Sequence, residues 1–154
     1  MRIDIPGHPE PYDIETVILD LNGTLTDHGE IIEGVRERIA ALFERGMRLV
    51  LFTGDTLGNG ASVAKELNLE MRKTPDAQAK ADEANALRPE TCATIGNGRI
   101  DLELFKTVRL RLLVCQREGA CPQLLDHADA FYTSINDALD AFLKPKGLIA
   151  TMRK

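Results

Sequence analysis

Apolar positions in this chain fall into short unbroken runs, separated by stretches with helical spacing. Val17-Ile18-Leu19 runs into Asp20, residues 47–53 end in Thr53, and residues 91–95 lead into Gly96. Runs of this length without alternation predict strands buried on both faces. Ile31, Ile32, Val35, Ile39, Leu42 and Phe43 recur at three- and four-residue spacing and predict a helix that Gly46 closes. Further helices are expected over residues 61–67, over 77–87 with Pro75 near the first position, and over 102–106. Ser134 opens another, with its stripe at Ile135, Ala138, Leu139 and Phe142, and Pro145 and Gly147 stop it. Shorter strands are expected at 69–71, 108–114 and 130–132, with loop or short helix between 118 and 126. Residues 2–5 before the turn Pro6-Gly7-His8-Pro9 suggest the first arm of a hairpin leading to Ile14. Residues 26–30 read as a polar loop and 148–154 as a surface tail.

Strands therefore alternate with helices, the signature of an α/β fold with a mostly parallel central sheet covered on both faces. No linker, repeat or domain-sized insertion interrupts the pattern, so residues 1–154 read as one domain. Composition changes this little: 44% hydrophobic and 28% charged residues are ordinary for a soluble globular chain. A net charge of −5 argues against nucleic acid and against a polybasic membrane patch. No apolar run approaches the ~20 residues of a membrane span. Asp4, Pro6 and Pro9 do not suit a signal peptide. Cys92, Cys115 and Cys121 are odd in number and lack paired zinc-ligand spacing, which points to reduced thiols and a cytoplasmic protein.

The candidate chemistry lies where the strands end. Asp20-Leu21-Asn22-Gly23-Thr24, Thr53-Gly54-Asp55 and Gly96-Asn97-Gly98-Arg99-Ile100-Asp101 are polar, Gly-containing turns after apolar runs. At the carboxyl ends of parallel strands, such turns converge on one crevice. With Lys80 from the intervening segment, the parts suit phosphoryl transfer. Asp20 would attack phosphorus, and Mg²⁺ between carboxylates would shield the repulsion of two anions. Thr53 and the N–H groups of Gly turns such as Gly54 would hold phosphate oxygens, and Lys80 would neutralise developing charge. Lys65 and Lys73 compete with Lys80 for this role, and Asp101 also reads as a helix N-cap.

In order and content these turns resemble the four motifs of the haloacid dehalogenase superfamily of aspartate-nucleophile phosphohydrolases. Gly23-Thr24 and Thr53-Gly54-Asp55 are closest to the phosphorylation domain of P-type ATPases, and the chain is similar to small soluble P-type-ATPase-like members that lack a cap domain. The resemblance implies a three-layer Rossmann-like fold, Mg²⁺ and an aspartyl-phosphate. It gives Asp20 the roles of nucleophile and metal ligand and lends the metal the Asn22 carbonyl. Thr53 would hold the phosphoryl group, Lys80 would pair with Asp20 and phosphate, and Asn97 and Asp101 would form the far side of the metal site. Capless members oligomerise or act on large substrates to close the site, so a phosphorylated small molecule or a phosphoprotein, and a homo-oligomer, are the implied partners.

Two residues depart from the family pattern. Family phosphatases usually carry a second Asp two positions after the nucleophile, where this chain has Asn22, which cannot exchange a proton near neutral pH. Asn97 stands where many members have a metal-binding Asp, and Ile100 replaces a frequent Asn. Slow turnover is therefore expected. The rival reading is a fold-retaining phosphate-, metal- or protein-binding module without turnover.

Overall fold

In the computed structural model, which describes residues 1–154, a hairpin of β1 (Arg2–Ile3) and β2 (Tyr12–Asp13) opens the chain. Strand β3 (Thr16–Leu19) follows, then a second hairpin of β4 (Thr26–Asp27) and β5 (Glu30–Ile31). The remaining order is α1 (Val35–Glu44), β6 (Arg48–Thr53), α2 (Gly60–Glu66), β7 (Glu70–Lys73), α3 (Ala77–Asn85) and β8 (Cys92–Gly96). Then come α4 (Leu102–Thr107), β9 (Leu110–Val114), β10 (Ala130–Tyr132), α5 (Ile135–Leu143) and α6 (Lys146–Met152).

Six strands form one sheet in the order β10-β9-β8-β3-β6-β7, and every neighbouring pair is parallel. Both faces are covered, which is why the strands are continuously apolar rather than alternating. Alternation instead decides which layer each side chain meets. Val17, Leu19, Leu49 and Leu51 share a core with Ile39 and Leu42 of α1 and with Leu139 and Phe142 of α5. Ile18, Val50 and Phe52 point the other way, to Ala84 of α3 and Leu104 of α4. β3 pairs with β6 on one side and β8 on the other, so the three polar turns leave the sheet side by side.

Four local expectations need correction. Residues 26–30 are a hairpin rather than a loop, and Ile31 belongs to it. Gly34, at φ 89°, breaks the backbone before α1 starts at Val35. Asp76 caps α3 by accepting the Ala79 N–H at 2.8 Å, which leaves Pro75 outside the helix. The strand expected over 108–114 starts only at Leu110, because the Val108 N–H still bonds Leu104 O at the end of α4. Pro145 does stop α5, but it is also the N-cap position of α6. That helix buries Leu148 and Met152, four residues apart on one face, so residues 148–154 do not form a surface tail. The Lys154 N–H bonds Pro6 O in the turn after β1.

Candidate active site

Asp20 is the first residue past β3, Thr53 the last of β6, and Asn97 the first past β8. All three line one cavity of about 370 Å³ at the carboxyl edge of the sheet, together with Asn22, Gly54 and Lys80. Every one of the sequence-predicted site residues except Asp101 lines this cavity. Asp101 lies behind it, with no exposed surface.

Of the three lysines, Lys80 is the one that lines the cavity. Lys65 and Lys73 are exposed, whereas the Lys80 ammonium is completely buried and makes two ion pairs of 2.6 Å, to Asp20 Oδ1 and Asp101 Oδ1. Burial alone would pull its pKa down, but Asp101 and Asp20 outweigh that, and it is pushed well above the usual lysine value. Asp20 shows the opposite balance. Burial first, and then the Asp101 charge, raise its pKa to about 6 against the attraction of Lys80. The cluster holds two carboxylates and one ammonium, and Asp20 is the member whose charge is least secured.

Asp101 is fully engaged. Its Oδ2 accepts the Asn97 and Gly98 N–H groups at 3.1 and 3.0 Å, and its Oδ1 takes Lys80. It thus fixes the turn after β8 and opens the 3₁₀ turn Arg99–Asp101 that leads into α4. Asp101 stands at the N-cap position of α4 but makes no side-chain capping bond there; its carboxylate is taken up by Lys80 and the 97–98 turn. Gly96 makes this approach feasible: a Cβ there would lie 2.5 Å from Asp101 Oδ2.

The other two turns leave groups free for a ligand. Thr53 Oγ accepts the Asp55 N–H at 2.9 Å, so its own proton remains available, and the Gly54 N–H makes no hydrogen bond within the protein. Asp55 itself, at φ 56°, accepts the Gly60 N–H at 2.6 Å and serves the start of α2 rather than the cavity. In the first turn Gly23 has φ 76°, and a Cβ there would meet Asn97 Nδ2 at 2.2 Å. The Asn22 main-chain oxygen accepts no hydrogen bond, and its side-chain Oδ1 is buried without a partner.

Three further contributors carry no individual role in the sequence reading. Thr24, fully buried, places its hydroxyl 3.2 Å from Asn97 Oδ1 and 3.5 Å from Asp20 Oδ2. Gln116 donates from Nε2 to Gly23 O and Thr24 O, both at 3.0 Å, and accepts the Ile135 N–H at 2.8 Å. Glu118 lines the cavity from the loop after β9. Thr24 could have been found from its place in the first turn. Gln116 and Glu118 follow an apolar run on a loop with no recognisable spacing.

No family model and no curated protein matches the chain. Solved structures do. A cobalt-bound deoxy-D-mannose-octulosonate 8-phosphate phosphatase from Haemophilus influenzae superposes with a TM-score of 0.72 at 18% identity, over 88% of this chain and 91% of that one. A Streptomyces avermitilis protein named as a HAD family hydrolase gives 0.72 at 22% identity, over 94% and 93%. The 3-deoxy-D-manno-octulosonate 8-phosphate phosphatase of Moraxella catarrhalis, solved with magnesium, phosphate and a KDO molecule, gives 0.68 at 19% identity, over 90% and 91%. At this level of identity the likeness establishes the architecture, and the chain has the fold of the haloacid dehalogenase (HAD) hydrolases.

Proposed function

We propose that the chain is a capless member of the HAD superfamily, one domain over residues 1–154, that transfers phosphoryl groups to Asp20 and hydrolyses the product slowly. The observation that carries this reading is the buried Asp20–Lys80–Asp101 cluster, with two 2.6 Å ion pairs, at the floor of a cavity lined by Thr53 and Gly54. A carboxylate held beside an ammonium can approach a phosphate dianion that it would otherwise repel. Asp20 would attack phosphorus as the leaving oxygen departs on the opposite side. The Thr53 hydroxyl and the Gly54 N–H would hold the phosphoryl oxygens. Lys80 would keep Asp20 oriented and offset the charge gathering on the equatorial oxygens.

The donor set suits magnesium, which takes oxygen ligands and one or two carboxylates while keeping several waters. Asp20, the free Asn22 carbonyl and Asn97 Oδ1, which keeps a second lone pair after accepting Thr24, would hold it. Asp101 would bound that site through the 97–98 turn it fixes. The ion would supply neutralisation of phosphate charge. With Asp20 the one carboxylate among these ligands, beside two neutral oxygens, weak affinity is expected. Phosphorylated small molecules fit the volume, and a phosphoprotein or a second copy of the chain would close the open mouth. The P-type-ATPase flavour rests on Gly23-Thr24 and Thr53-Gly54-Asp55.

A second reading, a phosphate- or metal-binding module without turnover, is favoured by Asn22, whose amide replaces an acid and leaves Oδ1 unpaired. One experiment separates the two. The protein is incubated with Mg²⁺ and acetyl phosphate or para-nitrophenyl phosphate beside Asp20→Asn, then acid-quenched for intact mass. A phosphoryl adduct lost in Asp20→Asn supports the enzyme. No adduct, no turnover and no Mg²⁺-dependent beryllofluoride binding overturns it.

A further inference from the structure

An aspartyl-phosphate enzyme needs a proton for the leaving oxygen and a base for the water that follows, and Asn22 can provide neither. This inference rests on the phosphoryl-transfer reading above. Apart from Asp20, the only carboxylate lining the cavity is Glu118. We propose that Glu118, from the loop after β9, is the proton-transfer residue of this site.

The loop is placed for the task. The Gly119 N–H bonds Gln116 O at 2.9 Å, closing a turn with Arg117 and Glu118 at its two corner positions and Gly119 at φ 78°. The two corner side chains part company. Arg117 reaches Asp27 of β4 at 3.4 Å, and Glu118 faces the cavity. The turn is tied to both of the site's outer loops. Gln116 holds the Gly23 and Thr24 carbonyls of the first turn, as described. Gly119 O accepts Asn97 Nδ2 at 3.0 Å, and the Cys121 N–H bonds Asn97 O at 2.8 Å. Glu118 is exposed, and on a free loop it would be only a solvated charge. Here the Gln116 side chain before it and the Gly119 and Cys121 backbone after it are bonded to residues around Asp20.

The steps balance. As Asp20 forms its bond to phosphorus and the ester P–O bond breaks, the Glu118 carboxyl gives its proton to the leaving oxygen. A water then enters. Glu118, now a carboxylate, takes its proton as the water oxygen bonds phosphorus, and the P–O bond to Asp20 breaks. Inorganic phosphate leaves, Asp20 is free, and Glu118 is protonated again. Gln116 is a positioning residue in this scheme, because it holds the turn and touches no reacting atom.

The test follows the phosphoenzyme itself. Wild type, Glu118→Gln, Glu118→Asp and Arg117→Ala are loaded with acetyl phosphate and Mg²⁺, and decay of the adduct is read by acid-quenched intact mass. Glu118→Gln is expected to accumulate the adduct and lengthen its lifetime at least tenfold. Glu118→Asp should fall between it and wild type, and Arg117→Ala should match wild type. Asn22→Asp placed on Glu118→Gln should shorten the lifetime again, by supplying an acid from the other wall. Equal lifetimes in wild type and Glu118→Gln overturn the role of Glu118 and leave phosphoryl transfer standing. If no adduct forms in any variant and beryllofluoride does not bind, phosphoryl transfer and the role of Glu118 fall together.

Discussion

Lys80, at the floor of the crevice, has no exposed surface and makes two 2.6 Å ion pairs, whereas Asn22, on the wall of the same cavity, keeps a buried amide oxygen with no partner. Asp101 is satisfied by an ammonium and two main-chain N–H groups, while Gly54 keeps an unbonded N–H and Thr53 a free proton. The floor is closed on itself and belongs to the folded protein. The wall holds its backbone in place but leaves donors and acceptors unmatched. Buried polar groups are ordinarily satisfied, so unmatched ones grouped around one cavity mark where an outside molecule completes the bonding. The difference separates residues whose loss should unfold the protein from residues whose loss should only empty the site.

The largest effect is expected from Lys80→Met. It leaves Asp20 and Asp101 buried together without their cation, and breaking a buried pair in this way costs about 3–5 kcal/mol. For a chain of this length that is a fall of about 10 °C in melting temperature at pH 7. Adding Asp101→Asn to Lys80→Met should recover part of the loss. An unchanged melting temperature would mean that the floor is not an electrostatic unit.

Next in size is a pH effect from Asp20. Its carboxyl has a pKa of about 6 in the folded protein and near 3.9 when unfolded. Between those values the folded chain holds a proton that the unfolded chain has released, so stability must fall as pH rises. In metal-free buffer the unfolding free energy of wild type, measured against Asp20→Asn, should drop by about 3 kcal/mol from pH 4 to pH 6 and level off above that. A flat difference would show that Lys80 fully compensates the burial of Asp20. Adduct formation with acetyl phosphate should also fall as the pH drops, because the attacking group is the carboxylate, and added Mg²⁺, which favours the charged form, should move that fall to lower pH.

Gly23→Ala probes the seam between wall and floor. The left-handed backbone costs a non-glycine residue about 1–2 kcal/mol, and the new methyl would strike Asn97 Nδ2. The expected result is that loss in urea denaturation together with weaker Mg²⁺-dependent beryllofluoride binding, since Asn97 must move. Loss of stability with unchanged binding would place Asn97 outside the ligand's reach.

The floor and the wall also differed in how far the sequence disclosed them. Strands at the centre of the sheet were legible because burial on both faces demands unbroken apolar runs, and Asp20, Thr53 and Asn97 follow from where those runs end. Lys80 was legible in principle, since Lys80, Ala81 and Ala84 share helical spacing and α3 buries that stripe. A lysine in a buried stripe is the signal that distinguishes it from Lys65 and Lys73. The hairpin of β4 and β5 was not legible, because two-residue strands carry no period and Ile31 and Ile32 fall in register with the helix that follows. Nor was the second helix after Pro145, where the proline ends one element and begins the next. Gln116 and Glu118 stayed hidden for a different reason. Their roles depend on a turn that folds back over residues ninety positions earlier, and nothing local records that return.

The smallest expected effect tests whether the floor depends on its helix or on its own pairing. Asp76 caps α3 through the Ala79 N–H, and its carbonyl accepts the Lys80 N–H at 3.2 Å. Losing such a cap costs about 1 kcal/mol, so Asp76→Ala should lower the melting temperature by about 3 °C. Lys80 would still be held from two sides: its neighbours Ala81 and Ala84 stay packed under the sheet, and its ammonium remains between Asp20 and Asp101. Adduct formation from acetyl phosphate should therefore stay within about twofold of wild type, because a frayed first turn does not reach the Nζ contacts that hold Asp20. If Asp76→Ala instead abolished the adduct as Lys80→Met does, the start of α3 and not the buried ion cluster would set the position of Lys80, and the floor would be no more self-contained than the wall.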